Sequence, residues 1–337
     1  MCHKIAVVGA GITGMMTALN CARKGAEVDI YDQYDIPNKH SNSWAYARLW
    51  RAIHEDNPAL EALAIRSGVF WENLMNQYGE NMIRPAKIIR INKERTLGSV
   101  RFSYEKNKKV NYTTSLKHTN LTSFFNIKED NNVLTGEDGL LLGAHVINEH
   151  LHNQLKKHEK IRLLPNETLF AAKGEMNVIC EKIARMYKKT LICTSSPIGC
   201  FPNDVKKNYQ YHLDIELMNG QSFSDAILDM GDIHKTWCIP SIDGKVLKLS
   251  ASHFSFSEPP DENLRENCKK YLLNKMKIPC NSIKEHVSQY YSSAACAMRD
   301  GQLWRSNDNI LIMDACNARN YKISPALAED ISQFAFE

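Results

Sequence analysis

An α/β fold interleaved with an antiparallel α+β lobe is predicted by three features of this sequence. The first is a β-branched run, Ile5-Ala6-Val7-Val8, that turns through Gly9-Ala10-Gly11-Ile12-Thr13-Gly14 into the helical spacing of Met15, Met16, Ala18, Leu19 and Ala22. The second is a change of pattern: from Ile83 to about Asn132 short β-like runs alternate with Lys/Asn-rich turns, and the strand-helix alternation returns near Ile147. The third is size, because 337 residues, 43% of them hydrophobic, are too many for one simple core and too apolar for a disordered chain.

The elements follow in order. Gly25 closes the first helix, Glu27 to Tyr31 reads as a second strand, and Asp32 stands at its end, eighteen residues after Gly14. Arg48 and Arg51, three apart in Trp44-Ala45-Tyr46-Ala47-Arg48-Leu49-Trp50-Arg51, would share a face of a helix. Asn57-Pro58 caps a further helix with Leu60, Leu63, Ser67, Phe70, Trp71 and Leu74 as its stripe. In the inserted lobe, Ile88 to Ile91 and Val100 to Phe102 are strand-like. A helix with Ile147, Leu151 and Leu155 and the strand Thr190 to Cys193 then resume the first domain. Strand signals at Ser222 to Leu228, Thr236 to Ile239 and Val246 to Ala251, with a turn at Gly244, belong to the lobe again. Ile310 to Met313 reads as a buried strand, and Ser324-Pro325 opens a last helix carrying Leu327, Ile331 and Phe334.

Composition removes several function classes. Lys and Arg number 42 against 38 for Asp and Glu, so the net charge is only +4, no dense basic block exists, and nucleic acid or an acidic membrane surface is not the expected partner. No run of about eighteen uninterrupted apolar residues exists, so no membrane span is expected. The glycines and Asn20 break the apolar stretch after Lys4, which is read as mature protein rather than as a signal peptide. The 10 cysteines stand singly, without a CxxC pair, which fits reduced thiols in a cytoplasm and no metal cluster. His145, Glu149 and His152 lie opposite the Ile147/Leu151/Leu155 stripe and read as a solvated helix face.

The glycine turn has a mechanical purpose. Gly9 permits a tight turn, Gly11 lets a pyrophosphate approach the backbone, and Gly14 lets helix and strand pack closely, while the helix N-terminus at Ile12 and Thr13 offers N–H groups to phosphate. Asp32 is placed to accept from a ribose hydroxyl. A Rossmann-type dinucleotide site is the expectation, and the motif does not say which dinucleotide.

Further along, His40-Ser41-Asn42-Ser43 followed by the Arg-x-x-Arg of Arg48 and Arg51 resembles the D-amino-acid-oxidase (DAO) superfamily of flavoproteins, most closely its branch of monomeric sarcosine oxidase and N-methyltryptophan oxidase. Three later segments are similar to the same branch in the same order: Pro240 to Leu249, Ala294-Ala295-Cys296-Ala297, and Tyr321-Lys322-Ile323-Ser324. The resemblance implies a glutathione-reductase-like FAD domain over 1–84, 137–200 and 305–337, and a substrate domain over 85–136 and 201–304. It implies FAD held by Gly9, Gly11, Ile12, Thr13, Gly14, Asp32, Ser43, Arg48 and Lys322, with a thioether from Cys296 to the flavin. Arg51 and Lys322 would clamp a substrate carboxylate, Lys248 would activate dioxygen, and Trp237 and His253 would line the substrate cavity. The implied activity is oxidation of the C–N bond of an amino or imino acid by hydride transfer to flavin N5, with reoxidation by O2 to hydrogen peroxide. Ala315 to Asn320 departs from the glycine-and-histidine stretch usual in the family, and His253 lies one residue further from the lysine than the family spacing.

Blander readings stand beside these. Lys248 alternates with Leu247, Leu249 and Ala251 and by itself reads as a solvated strand residue. Arg51 has Glu55 nearby for a surface pair, Cys296 sits among small residues as a buried thiol would, and Trp44, Trp50 and Trp237 suit an apolar core. The competing functions are a flavin dehydrogenase with another electron acceptor, a flavin-binding scaffold without turnover and, third, a nicotinamide reductase. The sequence does not fix the oligomeric state.

Overall fold

The computed structural model describes residues 3–54, 57–92, 112–114, 119–127, 132–167, 186–194, 205–293, 303–306, 308–313 and 320–337. Along the chain run β1 (Lys4–Val8), α1 (Ile12–Arg23), β2 (Glu27–Tyr31), β3 (Arg48–Arg51), α2 (Pro58–Tyr78), β4 (Ile83–Asn92), β5 (Tyr112–Thr114), α3 (Thr119–Phe124) and β6 (Asn132–Leu142). Then follow α4 (Ala144–Lys157), β7 (Ile161–Leu164), β8 (Lys189–Ile192), β9 (Val205–Leu217), β10 (Ala226–Met230), β11 (Thr236–Pro240) and β12 (Val246–Phe256). The last described elements are α5 (Glu262–Leu273), β13 (Cys280–Ser293), β14 (Trp304–Ser306), β15 (Ile310–Met313) and α6 (Asn320–Phe334).

The chain divides into two compact units. Unit 1 comprises residues 1–45, 144–207 and 290–337, and unit 2 residues 46–143 and 208–289. Both units are discontinuous in sequence, and the first break between them falls after Ala45. The cause lies in the segment that follows. β3 and β4 both pair with β6, and the Trp50 indole lies on α2, donating its N–H to the Ala64 carbonyl at 2.8 Å. A Cβ on Gly68 would stand 2.5 Å from that ring, so this helix position must be bare.

Unit 1 is built on a sheet of order β14-β15-β8-β1-β2-β7, parallel except for β14. Its strands are near-continuous apolar runs, as strands covered on both faces require. Helix α6 packs along α1. It begins at Asn320 and contains Pro325, so Ser324-Pro325 does not open it. One turn earlier than expected the helix is already fixed, by Tyr321 Oη donating to the Ala144 carbonyl (3.2 Å) and by Ser324 Oγ meeting Thr13 Oγ1 (2.8 Å). Proline near a helix start forfeits only one backbone bond, which this packing offsets.

Unit 2 carries a sheet of order β13-β9-β12-β11-β10-β4-β6-β3, with β5 on β6. It is mixed rather than purely antiparallel, because β10 runs parallel to β4. Leu213, Ile215, Cys238, Leu247, Leu249 and Ala251 form one apolar face with Cys268 and Leu272 of α5. The residues between them face the other way. That alternation creates the polar face described next. Arg48 and Arg51 lie in a strand, not a helix, and therefore on opposite sides of the sheet. The bulky Leu49-Trp50 pair suits a pleated, half-buried surface better than a helical turn.

Candidate functional site

In unit 1, the Gly9 N–H closes onto the Tyr31 carbonyl (2.8 Å) with the chain at φ +98°, and a Cβ there would come 2.9 Å from Thr194 Cγ2. At Gly14 a Cβ would fall 1.8 Å from the Gly9 carbonyl oxygen, so only glycine lets α1 sit this close to the turn. Gly11 differs. Its added Cβ would meet only Ser43 Oγ, at 3.4 Å, which leaves the turn open where the α1 N-terminus points. The N–H groups of Ile12, Thr13 and Gly14 have no partner inside the helix, and that of Ile12 donates to Ser43 Oγ at 3.1 Å. These are the requirements of a pyrophosphate cradle.

Asp32 accepts from the Ala10 N–H (2.8 Å), the Tyr34 N–H (3.0 Å) and Asn38 Nδ2 (2.9 Å). Burial pushes its pKa up against those three bonds. A carboxylate offers about four lone-pair sites, so one is left, and a ribose hydroxyl suits it. Behind Ser43 stands Asn148 of α4, which was not singled out from the sequence. Its Nδ2 donates to the Ser43 carbonyl at 2.8 Å, while its buried Oδ1 has no hydrogen-bond partner among the described residues. The donor-rich helix end, the bare Gly11 and this unmet acceptor fit an FAD. Lys322 is half-buried in the first turn of α6.

In unit 2, strand register assembles a second group on the polar face. Ile239, Lys248 and Asp214 form one cross-strand row of β11, β12 and β9, and Trp237, Ser250 and His212 form the next. The structure thus brings together two residues singled out from the sequence, Lys248 and Trp237, both half-buried. The Lys248 ammonium has no hydrogen bond or ion pair among the described residues. Burial first, then the Arg48 charge, lowers its pKa to about 7 against the pull of Asp214.

His212 is 4% exposed, and its ring stacks on His286 of β13 at 5.1 Å between centroids. Burial, together with the Lys248, His286 and Arg48 charges, holds its pKa at about 2, so it stays neutral. His286 Nε2 in turn lies 3.1 Å from Asp214 Oδ2. None of His212, Asp214 and His286 was singled out. The signal existed in β9, where Tyr211, Leu213, Ile215 and Leu217 alternate with His212, Asp214 and Glu216.

Other expectations divide. The Pro240 to Leu249 segment is the β11–β12 hairpin, with Gly244 at φ +72°. Arg51 donates through Nη1 to the Ile53 carbonyl. His253 is exposed in a bulge of β12, and its ring neighbour is His234 at 5.9 Å, which packs on Tyr271 of α5. Cys296, with Ala294 to Ala297, lies outside the described residues, as do 315–319 and the Val100 to Phe102 run. The described cysteines 21, 193, 238, 268 and 280 are free thiols, and no described helix is long and apolar enough to cross a membrane.

Residues 4–116 match the DAO family model, described as FAD dependent oxidoreductase. The sequence match covers residues 4–116, and a likeness of fold to solved structures extends over nearly the whole chain. L-proline dehydrogenase from P. horikoshii superposes with a TM-score of 0.74, covering 98% of this chain and 92% of that one at 10% identity. Fructosamine oxidase from Aspergillus fumigatus gives 0.71 with 98% and 85% covered at 13% identity, and glycine oxidase from Geobacillus kaustophilus gives 0.69 with 99% and 95% covered at 12% identity. No curated protein sequence matches the chain.

Proposed function

We propose that this DAO-like protein is an FAD-dependent oxidase of the C–N bond of an amino or imino acid, with secondary or cyclic amines preferred. The observation that carries the proposal is Lys248: a half-buried ammonium beside Trp237, without a hydrogen-bond or ion-pair partner among the described residues and titrating near neutrality. A protein retains an unpaired buried cation at a cost, and such groups cluster where charge develops during a reaction. When bound, FAD supplies the two-electron chemistry, taking hydride from the substrate carbon at N5 and returning both electrons to dioxygen as hydrogen peroxide.

In this reading the turn residues Gly9, Gly11, Ile12, Thr13 and Gly14 hold the pyrophosphate, Asp32 the ribose, and Ser43 fixes the loop beside them. Arg48 adds positive potential, and Cys296 carries a thioether to the flavin. Arg51 and Lys322 hold the substrate carboxylate by charge-assisted bonds. Lys248 stabilises the developing superoxide, and Trp237 offers flat apolar surface to a ring-bearing substrate. The protein works in the cytoplasm, where its thiols stay reduced.

One observation favours a second reading. The likeness to L-proline dehydrogenase supports an enzyme that delivers its electrons to another acceptor. A single experiment separates the two. The purified protein is precipitated with acid to test whether its yellow colour stays in the pellet, and a second sample is reduced anaerobically with L-proline and N-methyl amino acids before air is admitted. Bleaching, rapid return of colour and peroxide are expected. Bleaching without return establishes the dehydrogenase, and a flavin that none of these substrates bleaches defeats the amino-acid reading. Colour released wholly to the supernatant removes the Cys296 link, and Cys296→Ala should release it if the link exists.

A further inference from the structure

We infer that Arg84 and Arg51 form a two-guanidinium anion site on one face of the unit 2 sheet, which selects a ligand with two carboxylates on a short spacer. Arg51 of β3 pairs through Gly139 of β6 with Ala86 of β4, and Arg84 pairs through Leu141 with Leu49. Residues paired across antiparallel strands share a face, as do residues two apart on one strand, so Arg51 and Arg84 emerge on the same side. The opposite side at this end is taken by Trp50, whose ring lies on α2. With strands about 4.8 Å apart and about 3.3 Å of rise per residue, the two Cα atoms stand roughly 12 Å from each other.

The floor between them is apolar and closely fitted. Ala86, Ile88 and Leu141 are all buried, and the Ile88 side chain occupies the place of the missing Cβ of Gly139, 2.5 Å from where that atom would be. Such a floor suits the methylene or methine spacer of a dicarboxylate and leaves no donor for a third polar group.

What points to a ligand is Arg84 itself. Its Nε and Nη2 are closed to solvent and have no hydrogen-bond partner, and the residue makes no ion pair among the described residues. Arg84 lies beyond the β10 register, and its neighbour across β6 is the apolar Leu141. Leaving charged donors buried and unmet costs several kcal/mol, so an anion that accepts from Nε and Nη2 together would be held by a bidentate fork. Arg51 is anchored by its bond to the Ile53 carbonyl and supplies the second cation.

The inference rests on the oxidase reading for its substrate class: an amino or imino acid carrying a second carboxylate. Its test does not depend on turnover. Malonate and acetate, which differ by one carboxylate, are titrated calorimetrically into the flavin-loaded full-length protein and its Arg84→Gln, Arg84→Lys and Arg51→Gln variants at low salt. Malonate is expected to bind at least about tenfold more tightly than acetate, a preference of about 1.4 kcal/mol. Arg84→Gln and Arg51→Gln should each erase the preference with flavin content unchanged, and Arg84→Lys, which keeps the charge but not the fork, should retain part of it. Equal binding of the two anions by the unaltered protein, or a full preference in Arg84→Gln, overturns the site. If malonate binds as expected but neither sarcosine nor iminodiacetate reduces the flavin, the oxidase reading fails while the anion site stands.

Discussion

The two units each bury a charge and treat it in opposite ways. In unit 1, Asp29 on β2 is 4% exposed and fully met: Arg162 of β7 reaches it through Nε (2.9 Å) and Nη2 (2.5 Å), the Tyr187 hydroxyl donates to it, and Lys4 Nζ lies 3.3 Å away. In unit 2, Lys248 has no such partner among the described residues. A satisfied buried charge supports the fold, whereas an unsatisfied one costs stability and is kept for what it does to a ligand or a reacting atom.

The largest test asks whether unit 1 has any slack. Gly14→Ala would place a methyl 1.8 Å from the Gly9 carbonyl, so strand and helix must part, and soluble protein with bound flavin should fall below about a tenth of the normal yield. Gly11→Ala meets only Ser43 Oγ at 3.4 Å and should fold normally, with flavin weakly held and lost on gel filtration. Equal behaviour of the two variants, followed by the ratio of flavin to protein absorbance, would show that the turn has a packing purpose alone.

Next comes Lys248→Met. Reoxidation of reduced flavin by dioxygen should slow by about 100-fold while anaerobic reduction by substrate changes little. With a folded pKa of about 7, Lys248 is charged below neutrality, so reoxidation in the unaltered protein should slow as pH rises through about 7, and the variant should lose that dependence. Stability moves with the opposite logic. Between about 7 and the ordinary value of 10.5 the unfolded lysine binds a proton that the folded one does not, so stability rises with pH across that window. Lys248→Met should therefore raise the melting temperature at pH 6 and lose its advantage by pH 10.5.

These tests fall on sites that differ in how visible they were. The unit 1 turn lies within one stretch from Ile5 to Asp32, where glycine spacing, β-branching and helical periodicity are local and each has a steric cause. The polar face of unit 2 joins His212 and Asp214 to Lys248 and to His286, which are far apart in sequence, and only the pairing of β9, β12 and β13 makes them neighbours. β6 carries Gly136, Asp138 and Gly139, residues that strands seldom favour, and it is held in the sheet by β4 on one side and β3 on the other. The Arg48–Arg51 spacing suits either period, and pairing with β6 decided for the strand. Pro325 looked like a helix start because the Thr13–Ser324 contact that fixes α6 spans 311 residues.

A smaller effect belongs to Asp29. Burial alone would raise its pKa, but the bonds from Arg162 and Tyr187 and the charge of Lys4 lower it below the usual 3.8. The stabilisation it provides is therefore present above that value and is lost as pH falls through the lower folded pKa. Asp29→Asn should cost about 1 to 3 kcal/mol at pH 7, seen as a melting temperature lower by several degrees, and should cost little in strong acid. Flavin reoxidation should be untouched. A change there would break the division between structural and reactive charges.

The smallest effect is also the most specific to the polar face. Asp214 sits directly across from Lys248 and pulls its pKa up, while Arg48 pushes it down. Neither charge makes an ion pair with the ammonium, so each acts through space and is partly screened. Removing the carboxylate in Asp214→Asn should shift the pH midpoint of reoxidation to lower pH, leaving less of the charged lysine at neutrality. Arg48→Gln should shift the midpoint to higher pH. At pH 7 and low salt the two variants should be slower and faster than the unaltered protein, each by less than about tenfold, and salt should shrink both differences. Stopped-flow reoxidation of the chemically reduced protein from pH 5.5 to 9 checks this without any substrate. Shifts of the same sign would mean that the substitutions disturb the sheet or the flavin instead of the field at Lys248. Shifts that persist in a Lys248→Met background would assign the titration to another group.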